Sequence, residues 1–119
     1  MMKQNDIYNV SLDEFEKQVL DASNHRPVLV DFWADWCPPC LVIAPLLEKA
    51  VILNKGAVAL AKVEVDEGEN MKLAGRYHVK GFPTVILIRH SEELTRFSGA
   101  KSLQFILELI SLHARSDHR

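Results

Sequence analysis

Only two cysteines occur in 119 residues, beside five glycines and two tryptophans, and the formal net charge is −2. Two cysteines are too few for the disulfide scaffold of a small secreted protein. A charge this close to zero leaves no basic face, so no nucleic-acid partner is expected. No apolar run approaches the roughly 20 residues that a bilayer helix requires, so no membrane association is expected either. The opening stretch Met1-Met2-Lys3-Gln4-Asn5-Asp6 is polar and lacks the apolar heart of a secretory signal, which points to the cytoplasm. The remaining composition, 48% apolar and 25% charged, is that of a globular chain. The expectation is one domain over residues 1–119, ordered from about 7 to 113 and acting as a monomer.

Hydrophobic period sorts the chain into alternating elements. Ser11 and Glu14 have the spacing of a capping box, and Leu12, Phe15 and Val19 follow on one side, so an amphipathic helix is expected over about 12–22. The run Val28-Leu29-Val30-Asp31-Phe32-Trp33 is almost wholly apolar, as in a strand covered on both faces. Leu41, Ala44, Leu47 and Val51 continue at helical spacing beyond Cys40, with Pro45 expected to kink that helix rather than end it. A second central strand spans about 57–65, a short helix 69–77 and a third strand 84–88. A polar turn over 89–93 leads into a strand over 94–97, and a closing helix carries Leu103, Ile106, Leu107 and Ile110 on one face. A strand near 7–10 comes first, and the charged tail from Ala114 is expected to fray. Alternating elements first and a hairpin last imply an α/β fold with a mixed sheet and helices on both faces.

The cysteines are three positions apart, as Cys37-Pro38-Pro39-Cys40, at the junction of strand and helix. A bridge between them closes a loop too short to stabilise the chain much, because that gain grows with loop length. A helix N-terminus favours negative charge, and the thiolate is the species that attacks a disulfide. Cys37 is thus the candidate nucleophile, and Cys40, one turn on, the residue that resolves the mixed disulfide. Four alternatives stand beside this reading. A structural zinc site needs about four ligands, and no second cysteine pair or ligand-spaced histidines exist, so no metal is expected. A c-type haem site needs histidine where Leu41 stands. A purely structural bridge and a pair of inert buried thiols complete the set.

Asp31 interrupts the apolar strand. A carboxylate buried without a partner has its pKa raised, and a neutral-range acid near Cys40 is able to take that thiol's proton. The plainer alternative is that Asp31 faces an edge or finds a hydrogen-bond partner. Lys62 breaks the next strand's apolar pattern and is either the electrostatic partner of Asp31 or a lysine reaching to the surface.

Trp36-Cys37-Pro38-Pro39-Cys40, preceded by Asp31-Phe32-Trp33-Ala34 and followed far downstream by Gly81-Phe82-Pro83-Thr84, closely resembles the thioredoxin family. The likeness runs from about Val10 to Ile110 and includes Pro45 and Gly99-Ala100. It implies a thioredoxin fold, with a mixed sheet of about five strands flanked by four helices. It implies a thiol–disulfide oxidoreductase that reduces protein disulfides, with no cofactor beyond the Cys37–Cys40 couple, recharged by an NADPH-dependent thioredoxin reductase. It makes Cys37 the attacking thiol, Cys40 the resolving one, Asp31 the buried acid beneath them and Lys62 its neighbour. It also implies a cis bond before Pro83. Trp36, Phe82, Pro83, Gly99 and Ala100 then form the rim that docks substrate peptide, although each residue type also suits ordinary packing or turns.

The chain departs from the family pattern in five places, one of them a longer stretch than usual between Asp66 and Pro83. Pro38 replaces a common glycine, so Trp36, Pro38 and Pro39 are expected to make a stiffer redox loop with two consecutive prolines. Leu41 replaces a common lysine and adds apolar surface. Ser91-Glu92-Glu93 lacks the usual hairpin glycine. His78 stands where glycine is common and is expected to close its helix at positive φ, which histidine tolerates better than most residues. The stretch 15–49, with Ala22-Ser23, Pro27-Val28 and Leu46-Leu47-Glu48-Lys49, also resembles the thioredoxin domain of chaperone-linked helical-repeat proteins. A client-binding module, or a reductase dedicated to one pathway, is therefore the alternative function.

Overall fold

The computed structural model describes residues 5–115, without the side chains of the last two. Its sheet has five strands in the order β1-β3-β2-β4-β5. These are β1 (Ile7–Asn9), β2 (Val28–Trp33), β3 (Ala59–Glu64), β4 (Thr84–Arg89) and β5 (Glu92–Ser98). β3 pairs parallel with both β1 and β2, while β4 runs antiparallel to β2 and β5 antiparallel to β4. Helices α1 (Pro38–Leu53), α2 (Met71–Arg76) and α3 (Leu103–Arg115) join an irregular helical segment, 12–24, as the fourth helical element. The chain therefore has the thioredoxin fold, and every strand lies within a residue or two of its expected position.

Alternation along the strands divides the interior. Val28, Val30 and Phe32 of β2 join Ala59, Ala61 and Val63 of β3 and Ile86 and Ile88 of β4 on one face. Phe15 and Val19 of the first helical segment and Leu73 and Ala74 of α2 cover it. Leu29, Leu60, Val85 and Leu87 face the other way, under Ile43, Leu47 and Val51 of α1 and Ile106 and Ile110 of α3. Because β2 is central and covered twice, it needs apolar side chains on both faces, which is why its sequence does not alternate. Asp31, two residues from Leu29, lies on the α1 side of the sheet.

The first helical segment differs from the regular helix its pattern suggests. It is a 3-10 turn (Leu12–Glu14), a π turn (Glu16–Asp21) and a second 3-10 turn (Ala22–Asn24). Both ends are tied to the rest of the fold. Leu12 N–H donates to Oδ1 of buried Asn70 at 2.8 Å, and Ser23 binds the β4–β5 hairpin. With its ends fixed independently, the segment takes up the difference in its hydrogen-bond period.

Two turns lack glycine and take left-handed backbone instead. His78, just beyond α2, has φ 56°, as the sequence suggests. His90 and Ser91, at φ 53° and 66°, form the two-residue hairpin tip, a geometry normally given to asparagine and glycine. Ser23 holds this tip in place. Its carbonyl accepts from His90 N–H at 2.9 Å, and its Oγ accepts from Ser91 N–H at 2.8 Å. α1 continues through Pro45 and ends at Asn54, whose Nδ2 donates to the Ala50 carbonyl at 2.7 Å. α3 is helical to Arg115; the rest of the tail expected to fray lies outside the described residues.

Candidate active site

β2 delivers the chain directly to the start of α1, and Cys37 is that helix's N-cap residue, with extended backbone (φ −108°, ψ 101°). A helix's first turn leaves N–H groups without intrahelical partners. Here Pro38 and Pro39 occupy the first two positions and have no N–H, so Cys40 supplies the first available donor. Its N–H donates to Cys37 Sγ at 3.3 Å. That contact, with the positive end of the helix dipole, lies where charge builds when Cys37 ionises. Cys37 and Cys40 are joined as a disulfide, their Cα atoms 5.3 Å apart. Both are buried, Cys37 at 4% exposure and Cys40 at 1%.

Asp31 is 1% exposed, and neither carboxylate oxygen has a hydrogen-bond partner among the described residues. Removal from water pushes its pKa from 3.8 up to about 7, and the Lys62 ammonium pulls it part of the way back. Asp31 and Lys62 are register partners across β2 and β3. The lysine's own contacts lie elsewhere: Nζ donates to Glu48 Oε2 at 3.1 Å and sits 5.6 Å from the centroid of the Trp33 ring. Asp31 therefore feels a positive charge at a distance without being neutralised by a direct bond. Glu48, on α1, is a member of this charge group that sequence reasoning missed. Its only sequence trace is a place on the helix side adjoining Ala44 and Leu41.

Trp36, next to Cys37 in the chain, is linked by contacts to two further segments. Trp36 is exposed, and its ring meets Phe82 edge to face with centroids 6.0 Å apart. Its Nε1 donates to Asp66 Oδ2, a second partner the sequence did not disclose. The Phe82–Pro83 bond is cis. Thr84 Oγ1 donates to the Gly81 carbonyl at 2.6 Å, and the Pro83 carbonyl accepts from Gly99 N–H at 2.9 Å. Gly99 has φ 84°, a conformation glycine reaches without strain, and exposed Ala100 follows it. Pro38 and Pro39 are exposed beside Trp36.

Among the described residues no group of histidine, cysteine, aspartate or glutamate is arranged to hold a metal ion. No helix among them is long and apolar enough to cross a membrane. Two surface hollows, one lined by Val10, Ser11 and Asn70 and the other by Tyr8, His25 and Arg26, include neither cysteine in their linings. The chemistry this arrangement supports is two-electron exchange between a dithiol and a disulfide.

Comparison with known proteins agrees. The family model described as Thioredoxin matches residues 6–111. Thioredoxin of Thiocapsa roseopersicina is 44% identical over 86 residues, covering 72% of this chain and 90% of that protein. Thioredoxin of Acidithiobacillus ferridurans is 43% identical over 99 residues, 82% of this chain and 88% of its own. The bifunctional thioredoxin reductase/thioredoxin of Mycobacterium leprae is 38% identical over 89 residues, 75% of this chain and 19% of that protein.

Proposed function

The chain belongs to the thioredoxin family and is a thiol–disulfide oxidoreductase, and from that premise we propose that it is a reductant of protein disulfides in which Cys37 attacks and Cys40 resolves. The observation that supports these roles most strongly is the N-cap position of Cys37, whose sulfur accepts the Cys40 N–H.

In the reduced protein the Cys37 thiolate attacks one sulfur of the substrate disulfide. An S–S bond forms between Cys37 and the substrate, and the other substrate sulfur leaves as a thiolate that takes a proton from solvent. Cys40 then gives up its proton and attacks Cys37 Sγ. The Cys37–Cys40 disulfide forms and the second substrate sulfur is released. Two electrons pass from protein to substrate. Asp31 is the proton acceptor for Cys40, a role supported by a pKa of about 7, close to the pH at which the exchange must run. Lys62 tunes that acid through space. Trp36, Phe82, Pro83, Gly99 and Ala100 dock the extended substrate, and Pro38 and Pro39 stiffen the loop.

Electrons return to Cys37–Cys40 from an NADPH-dependent thioredoxin reductase, a pairing in keeping with the relative that carries both activities in one chain. A monomer in the cytoplasm suits this cycle, because glutathione and thioredoxin systems keep thiols reduced there. The test is turbidimetric reduction of insulin with dithiothreitol as donor. The wild type is expected to precipitate the insulin chains well ahead of the uncatalysed control, and Cys37→Ser to match that control. Equal activity in Cys37→Ser would end the proposal.

A further inference from the structure

A helix lying on a protein surface normally turns a charged or polar face to water. α1 does not. At 100° per residue, Pro38, Leu41, Val42, Pro45, Lys49, Ile52 and Leu53 share one face, and all seven are exposed. Lys49 is the single charge among them. Leu41, Val42, Ile52 and Leu53 are 52, 59, 64 and 50% exposed, so this apolar face is not folded back onto the core. Each residue adds about 1.5 Å of rise, so the strip runs about 22 Å from the redox loop to the far end of the helix.

We propose that this strip is an extension of the substrate-docking surface, and that its occupant is an unfolded polypeptide whose disulfide is flanked by apolar residues. The inference rests on the reductant reading above. Continuity is the first argument. The strip starts at Pro38 inside the redox loop, and Leu41 directly follows Cys40, so a chain held at Cys37 lies at the head of the strip. Size is the second. The strip contributes seven residues, far fewer than the roughly 20–30 a side of a stable interface. A second copy of this chain would gain too little there to stay bound, and would cover the approach to Cys37. A weak contact that adds to a brief covalent encounter needs no more area than this. A folded substrate seldom has apolar residues exposed beside its disulfide, whereas an unfolded one does. About seven extended residues span the strip.

The test uses two disulfide-linked peptide homodimers, so that attack on either sulfur is equivalent. One is Gly-Cys-Gly; the other places seven residues rich in leucine and valine on each side of its cysteine. Single-turnover oxidation of the reduced protein is followed by tryptophan fluorescence against peptide concentration. The comparison is wild type against the triple variant Val42→Gln, Ile52→Gln, Leu53→Gln, whose altered positions are exposed, uncharged and suited to a helix. The expected result is a half-saturating concentration for the long peptide raised about tenfold in the variant, with the limiting rate and the tripeptide reaction unchanged. Equal saturation of both proteins by the long peptide would overturn the inference, as would an equal loss on both peptides. Sedimentation showing a wild-type dimer that the variant abolishes would overturn it in favour of a second copy. Failure of the wild type to react with Gly-Cys-Gly would instead remove the reductant reading on which it rests.

Discussion

Replacing Asp31 with asparagine should change how the stability of the oxidised protein depends on pH. An ordinary aspartate releases its proton near pH 3.8, whereas burial holds the proton on Asp31 in the folded chain up to about pH 7. Between those values the folded state binds the extra proton and the unfolded state does not, so stability falls as pH rises. The loss begins near pH 3.8 and is complete just above pH 7. Three pH units at 1.36 kcal/mol each put the whole effect at about 4 kcal/mol, of which roughly 2 to 3 fall between pH 5 and pH 8. Asparagine keeps the shape and carries no charge. It leaves an unpartnered carboxamide, but that penalty does not vary with pH and cancels in the comparison. Guanidinium unfolding at pH 5 and pH 8, with both proteins as the Cys37–Cys40 disulfide, measures the quantity. Relative to Asp31→Asn, the wild type should lose roughly 2 to 3 kcal/mol between the two pH values. Parallel behaviour, within about 0.5 kcal/mol, would show that Asp31 is solvated or paired in solution and would refute the reasoning.

Charges around Asp31 should move its titration in opposite directions. Lys62→Met removes the positive charge that lowers the pKa and should raise the midpoint, while Glu48→Gln releases Lys62 from its ion pair and should lower it; side-chain carboxyl NMR reads both. Ser23→Ala leaves the Ser91 N–H without its acceptor at the hairpin tip and should destabilise the protein by about 1–2 kcal/mol in urea unfolding, without altering insulin reduction. Asp66→Ala frees the Trp36 indole and should raise KM for a protein disulfide a few-fold at constant kcat, because the ring's contact with Phe82 alone then fixes the rim.

What the sequence disclosed and what it concealed divide along one physical line. Features set by neighbours along the chain were legible. The unbroken apolar run of β2 announced a doubly covered strand, and Asp31 within it announced a buried acid. Cys37-Pro38-Pro39-Cys40 stood at the junction of strand and helix, and His78 announced a left-handed exit from α2. Features set by partners far along the chain were not. Glu48 meets Lys62 across 14 positions, Trp36 meets Asp66 across 30, and Leu12 meets Asn70 across 58. No local pattern marks one of several acidic residues as the partner. The irregular segment 12–24 was missed for the same reason, since the ties at its two ends come from Asn70 and from the hairpin. The exposed apolar face of α1 was hidden by its composition. A helix with apolar residues on more than one face reads as buried, and only the fold shows which side has no neighbour.

The account rests on Cys37 being ionised and accessible at the positive end of α1 while Cys40 waits behind it. Timed alkylation of the reduced protein with iodoacetamide at pH 7, with each cysteine quantified by peptide mass spectrometry, tests this most directly. Cys37 should be modified many times faster than Cys40 and faster than a cysteine in an unfolded peptide. Equal, slow modification of both would contradict the account.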